Sequence, residues 1–340
     1  MLPFKLVYSD EYYLPIGDHV FPAAKYRLTK QRLIALGVAE DSDFVSPSPA
    51  TDEDVLLVHT PMYVRKLNTG ALSTREELEL EVPYSPELVK AFWLMTGGSI
   101  EAAQRAWCDG LCVNIGGGFH HAFPDHGEGF CLVHDVAVAI RCMQRDGKIA
   151  RAMIVDCDVH QGNGSAVIFG NGESQLAPPL PSWSAPLLAP QRAASIKHNA
   201  TRDVFTISLH QENNYPAWKP PSSIDVNLPD GLGDDEYLGW LDNALSAAIR
   251  QFGPEMLFYL AGADPYKEDQ LGGLALTIDG LKRRDELVFR FAKANGLPVM
   301  VTYAGGYARQ LEDTVTIHTN TVLSANEVLG PVVVQTKAHR

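Results

Sequence analysis

The chain has 340 residues, 46% of them hydrophobic and 20% charged, and a formal net charge of −13 at pH 7. A chain of this length buries roughly 75% of the surface it exposes when unfolded, so a sizeable core is within reach. The acidic balance excludes general binding to nucleic acid or to an anionic membrane surface, and no apolar run reaches the ~20 residues of a membrane span.

Taken in chain order, the start MLPFKLVYSDEYYLP has no basic segment followed by a long apolar stretch, so no secretion signal is read. DVLLVH (54–59) is the first apolar run of strand length. SPELVKAFWLMTGGSIEAAQRAW (85–107) follows with helical spacing, Ser85 as N-cap and Leu88, Phe92 and Met95 on one stripe. Strands are predicted at LCVNIG (111–116), RAMIVD (151–156) and DVFTISL (203–209). Gly170–Asn199, rich in Pro, Ala and Ser, has no period and reads as an irregular surface excursion. A helix over 234–252 carries Leu238, Leu241, Leu245, Ala248 and Phe252 at helical spacing, before a strand at EMLFYLA (255–261). A helix opening on Thr277 and closing on Gly296 precedes a last strand, PVMVTYA (298–304). Continuous apolar strands alternating with helices imply a doubly wound α/β sheet, read here as one domain over 1–340. Cys108, Cys112, Cys131, Cys142 and Cys157 are odd in number and form no CxxC pair. They read as reduced core residues of a cytoplasmic protein.

Ligands gather at the carboxyl ends of strands in such sheets. Here those ends carry GGGFHH with His120 and His121, DCDVHQGNG with Asp156, Asp158, His160 and Asn163, GADP with Asp264, and AGGY with Tyr307. Each piece alone has an ordinary reading, such as an N-cap or a packed histidine. Together, two carboxylates and an imidazole with coordination positions to spare are the donor set of a hydrolytic metal site.

The blocks GGGFHHAFPDHGEGFC, IVDCDVHQGNG, SLHQENNYP, AGADP and YAGGYAR, with HTPMYVRKL upstream, resemble the histone deacetylase family of metal-dependent amidohydrolases. The GFHH and DCDVHQGNG forms are most similar to its class IV branch and bacterial relatives. The resemblance runs from about residue 59 to Arg309. It implies the arginase–deacetylase fold, a central mostly parallel sheet of about eight strands flanked by helices. It implies Zn²⁺ or Fe²⁺ on Asp158, His160 and Asp264. It makes His120, His121 and Tyr307 catalytic, the histidines as the acid–base pair and the tyrosine as donor to the oxyanion. Asp156 and Asn163 stand behind the two histidines. A structural K⁺ falls on Asp156, Asp158, His160, Ser208 and Leu209. The substrate tunnel falls on Gly129, Phe130, Tyr215, Leu271, Gly305 and Gly306.

The reaction so implied is hydrolysis of the acyl-amide of Nε-acyl-lysine in a protein or peptide, with the acyl length open. Two departures stand out. Asn163 occupies a position where many members carry Asp, and an amide orients an imidazole without raising its basicity as a carboxylate does. Ala304 makes the turn before Tyr307 less glycine-rich than in class I. The alternatives are an acetylpolyamine or other small-molecule amidohydrolase, which Leu271 at the gate position of a selecting glutamate disfavours, and a catalytically inactive acyl-lysine binder. An arginase-like ureohydrolase would need ligands for two metals, and the tandem histidines with GGY disfavour it.

Overall fold

The computed structural model describes residues 2–170 and 203–330. Residues 171–199 of the predicted excursion lie outside them. Eight strands form one all-parallel sheet: β1 (Lys5–Val7), β2 (Phe44–Val45), β3 (Leu111–Asn114), β4 (Ala152–Asp156), β5 (Val204–Gln211), β6 (Ile224–Leu228), β7 (Met256–Leu260) and β8 (Val299–Thr302). Their order is β2-β1-β3-β8-β7-β4-β5-β6, so β3 and β4, consecutive in the chain, are separated by β8 and β7. The carboxyl ends of these four central strands therefore open on one place.

The strand bodies are apolar because both faces are covered. Alternate residues leave the sheet on opposite sides. Met153, Val155, Leu257, Tyr259 and Val301 join the cluster with α1 (Ala24–Ala35), α8 (Asp234–Gln251), α9 (Ile278–Ala294) and α10 (Leu311–Leu329). Ala152, Ile154, Met256, Phe258 and Met300 pack on the other side, where Ala102, Ala103 and Ala106 of α5 (Pro86–Asp109) meet Val136 and Ile140 of α6 (Asp135–Arg145). The expected caps are in place: Ser85 Oγ accepts from Leu88 N–H, and Thr277 caps α9, beyond which Gly296 takes φ +63. In α8, Leu241, Leu245 and Ala248 are buried as predicted, with Tyr237 and Ala244 beside them.

One predicted strand is wrong. Residues 54–59 do not join the sheet; α2 (Asp52–Val55) covers their start. Thr51 and Asp54 close a reciprocal capping box there, and this local signal outweighs the apolar run. Strands β1, β2 and β6 lie outside the predicted set, being short or, in β6, alternating apolar and polar residues instead of forming a continuous apolar run. The remaining helices are α3 (Pro61–Thr69), α4 (Thr74–Leu80) and α7 (Asn163–Phe169). Among the described residues no helix is long and apolar enough to cross a membrane. All five cysteines are free, and only Cys108 is exposed.

His59, in the turn between α2 and α3, ties down the loop behind the site. Its Nδ1–H donates to Phe123 O across 2.9 Å, and its Nε2 accepts from the backbone N–H of His134 across 3.0 Å. Both bonds need a neutral ring, and burial pulls the pKa down to about 4. An unfolded histidine titrates near ~6.5, so between these values the unfolded chain holds a proton that the native state refuses. The stability from this site is therefore present above pH 6.5 and lost as pH falls toward 4. In urea titrations, the stability advantage of the wild type over His59→Gln should shrink by on the order of 2 kcal/mol between pH 8 and pH 5. A constant advantage would show that His59 titrates as in the unfolded chain.

Candidate active site

The site is built at the ends of β3, β4, β7 and β8. After β3 the chain turns through Gly116, Gly117 and Gly118 to reach the histidine pair. Gly117 (φ +70) and Gly118 (φ +84) take left-handed backbone that other residues rarely adopt. Space forbids a side chain as well: a Cβ on Gly117 would stand 2.3 Å from Asp135 Oδ2, and one on Gly118 would stand 2.6 Å from the backbone of Ala304. Asp135, fully buried at the start of α6, accepts from the N–H groups of Gly118 and Phe119 and from Ser99 Oγ, which clamps the turn.

The two histidine rings are tilted against each other at 4.1 Å between centroids but stand in opposite electrostatic settings. His120 Nδ1 donates to Asp156 Oδ2 across 2.6 Å. Burial disfavours its charged form, yet Asp156 and Asp158 outweigh that and raise its pKa to about 9. His121 Nδ1 lies 2.7 Å from Asn163 Oδ1. Burial and the neighbouring His120 and His160 hold its pKa well below the ordinary value. One imidazole thus favours its charged form and its neighbour the neutral form, a contrast set by environment.

Asp158 and His160, beyond β4, and Asp264, beyond β7, bring one donor atom each within 4.8 Å of one another, and all three are buried. Backbone amides from other loops hold the carboxylates: Gly305 N–H donates to Asp158 Oδ2 across 2.8 Å, and Val159 N–H to Asp264 Oδ1 across 2.9 Å. His160 Nδ1 is 3.0 Å from Asp158 Oδ1 and 3.5 Å from Asp264 Oδ2. Asp264 Oδ2 has no hydrogen-bond partner among the described residues. Burial and then the charge of Asp158 push the Asp264 pKa up to about 7. An orphaned carboxylate oxygen, a second carboxylate and an imidazole in a dry site fit a divalent cation.

The walls follow. Phe130, itself at φ +69, and Phe21 form an aromatic triangle with Tyr307, centroids 6.0 to 6.3 Å apart. Across from them, the Tyr215 ring lies 4.9 Å from that of His121. Gly129 sits between His121 and Tyr215, where a Cβ would meet His121 at 2.8 Å. A pocket lined by Phe21, His120, His121, Gly129, Phe130, Asp158, Gly305 and Tyr307 joins these groups. Leu271 is half-buried, its carbonyl accepting from Asn214 Nδ2 across 2.7 Å, and does not line that pocket. Gly306 (φ +148) packs against Ala263 and Thr314. Asp156 and Ser208 are register partners on β4 and β5, with Leu209 next along the strand.

Three supporting residues escaped the sequence reading. Lys25 is fully buried, its Nζ donating to Ala304 O across 2.8 Å and lying 5.6 Å from the Tyr307 ring centroid. Ala304 takes φ +51, so the turn before Tyr307 holds a left-handed alanine braced by that lysine. Nothing in a lone Lys predicts burial. Asp269 accepts from the N–H groups of Tyr307, Leu271 and Gly272, although the acidic run KEDQ reads as solvated surface. Arg284 is fully buried, pairs with Asp285 and donates to the carbonyls of Gly262 and Cys157, joining the β7 and β4 loops. An Asp preceding a Gly-Gly turn is the one signal that could have flagged Asp269.

The profile described as Histone deacetylase domain matches residues 19–322. An uncharacterized protein of Picosynechococcus is 36% identical over 326 residues, covering 96% of this chain and 99% of that protein. Histone deacetylase 2 of Arabidopsis thaliana is 31% identical over 327 residues, covering 91% of this chain and 77% of that one. The crystal structure of an HDAC homologue from Aquifex aeolicus superposes with a TM-score of 0.71 at 23% identity, covering 95% of this chain and 83% of that one, a likeness of fold.

The crowded carboxylates make a prediction that needs no substrate. In thermal-shift measurements at pH 8, Zn²⁺ should raise the Tm of metal-stripped wild type. Asp264→Asn should raise the Tm of the stripped protein by roughly 2–5 °C by removing a buried charge, and should abolish most of the Zn²⁺ response. A wild-type Tm indifferent to divalent ions would count against a metal site here.

Proposed function

The chain belongs to the histone deacetylase family, a hydrolase family, and on that premise we propose that it hydrolyses the acyl-amide of Nε-acyl-lysine in proteins or peptides. The observation that carries this reading is that the Asp158–His160–Asp264 cluster reaches, through Asp158, the pocket lined by two histidines of opposed charge preference. Asp158, His160 and Asp264 would hold Zn²⁺ or Fe²⁺, which when bound polarises a carbonyl and acidifies a water.

His121, neutral and with Nδ1 engaged by Asn163, has Nε2 free to take the proton of the attacking water. His120, held as imidazolium by Asp156, stabilises the charge that accumulates beside it, and the pair returns a proton to the departing lysine amine. Tyr307 stays protonated, since burial and then Asp158 and Asp264 raise its pKa well above the ordinary value, and it serves as hydrogen-bond donor to the oxyanion. Phe130 and Tyr215 flank the acyl-lysine stem, the Gly305–Gly306 turn leaves room at the reacting carbonyl, and Leu271 at the rim offers a polyamine no counter-charge. Asp156, Ser208 and neighbouring oxygens between β4 and β5, with Asp158, His160 and the carbonyl of Leu209, suit a structural K⁺, a hard cation that takes oxygen donors.

Lysine peptides bearing acetyl, lactyl, octanoyl and myristoyl groups, with N-acetylputrescine alongside, test the reading. At least one acyl-lysine peptide should be hydrolysed faster than N-acetylputrescine, with loss of turnover on chelation. Tyr307→Phe should lower kcat roughly 10²–10³-fold. Absence of turnover from metal-loaded protein on every peptide would move the assignment to an acyl-lysine binder or a small-molecule amidohydrolase.

A further inference from the structure

Behind His121 stands an amide, and behind the amide the structure places a carboxylate. Asn163 Oδ1 lies 2.7 Å from His121 Nδ1 and 3.1 Å from the backbone N of Gly164. Its Nδ2 lies 2.5 Å from Glu128 Oε1. Tyr215 OH donates to the same Glu128 oxygen across 2.6 Å, and His126 Nε2 is 3.7 Å from the other. Burial works against the charge of Glu128, but hydrogen bonds from His126, Tyr215 and Asn163 more than offset it and keep the carboxyl ionised.

These partners decide where the hydrogens are. An ionised carboxylate only accepts, so Asn163 turns its NH₂ toward Glu128. The Gly164 N–H only donates, so it meets the amide oxygen. That same oxygen faces His121 Nδ1, which must therefore carry the ring hydrogen and leave Nε2 bare. Without Glu128 the Gly164 N–H alone would hold the sense of the amide, and through it the tautomer of His121.

We propose that Glu128 is a positioning residue that acts through Asn163, holding His121 in the Nδ1–H tautomer and supplying, one amide away, the negative charge that Asn163 lacks. The kinetic part of this inference rests on the deacylase reading above; the tautomer does not. Glu128 lies in the GEGFC stretch beside the tunnel residue Phe130, so the same carboxylate that orients the ring also anchors the Tyr215 wall.

The test is a double-mutant cycle on the metal-loaded full chain. Glu128→Gln keeps an acceptor for the Asn163 amide and removes the charge; kcat should fall roughly 10–100-fold while KM changes far less. Asn163→Asp alone sets two carboxylates at hydrogen-bond distance and should also be impaired. Combined, the Gln donates to the new carboxylate, and kcat should return to within roughly fivefold of wild type. Additive losses, or a wild-type kcat in Glu128→Gln, would overturn the proposal. Nitrogen-15 spectra of histidine-labelled protein, with His121 assigned by its loss in His121→Asn, give a readout free of turnover. The wild type should show the Nδ1–H tautomer at His121 and Glu128→Ala a mixture of both, and an Nε2–H tautomer in the wild type refutes the relay. If the wild type hydrolyses no acyl-lysine peptide, the deacylase reading falls and these spectra alone judge the relay.

Discussion

Asp158 and Asp264 are buried within reach of one another, and much of the molecule is arranged around that fact. An isolated buried carboxylate is costly unless hydrogen bonds or an opposite charge compensate it. Here the compensation comes from two directions. Backbone amides of neighbouring loops donate to one oxygen of each carboxylate. The imidazoles of His160 and His120 lie alongside, 3.0 Å and 3.6 Å from Asp158 Oδ1. Asp264 Oδ2, without a hydrogen-bond partner among the described residues, is an acceptor that a divalent ion would fit. The glycines of the surrounding turns follow from the same demand, because only a bare backbone brings its N–H close enough. A Cβ on Gly305 would collide with both Asp264 and Asp158.

The sheet delivers these groups through its order rather than through proximity in the chain. Placing β8 and β7 between β3 and β4 puts four loops side by side that are up to 190 positions apart in sequence, from GGGFHH to AGGY. The strand bodies are apolar on both faces and make the frame stiff. Polar residues begin where the ladder ends, at Asn114, Asp156 and Thr302. Behind the loops, Arg284 and Asp135 act as buried pins, each satisfying several groups at once. Breaking either would leave a charge or several backbone amides stranded.

Much of the candidate site was legible in the sequence because its ionisable groups at strand ends stand in short glycine-rich motifs. Asp158, His160, Asp264, His120 and His121 are two neighbouring pairs and one single residue, and the fold brings them together where the motifs pointed. Tyr215 also stands beside His121. The supports were not legible. Lys25, Asp269 and Arg284 come from segments that look like ordinary charged surface, and their burial depends on what packs over them. Residues 54–59 mislead for a related reason: an apolar run does not say whether a sheet edge is free to receive it, whereas the Thr51–Asp54 capping box acts within four residues.

What the sequence by itself determined is the alternation of strands and helices, the family, and the order of the residues that the fold gathers at the candidate site. These depend on local periodicity and on motifs whose chemistry is contained within a few positions. What only the tertiary structure decided is the electrical character of each group. His120 and His121 are adjacent and chemically identical, yet one lies against Asp156 and the other against Asn163 with Glu128 behind it. A side chain's charge preference is set by the groups that surround it in space, and those arrive from strands and loops far away along the chain.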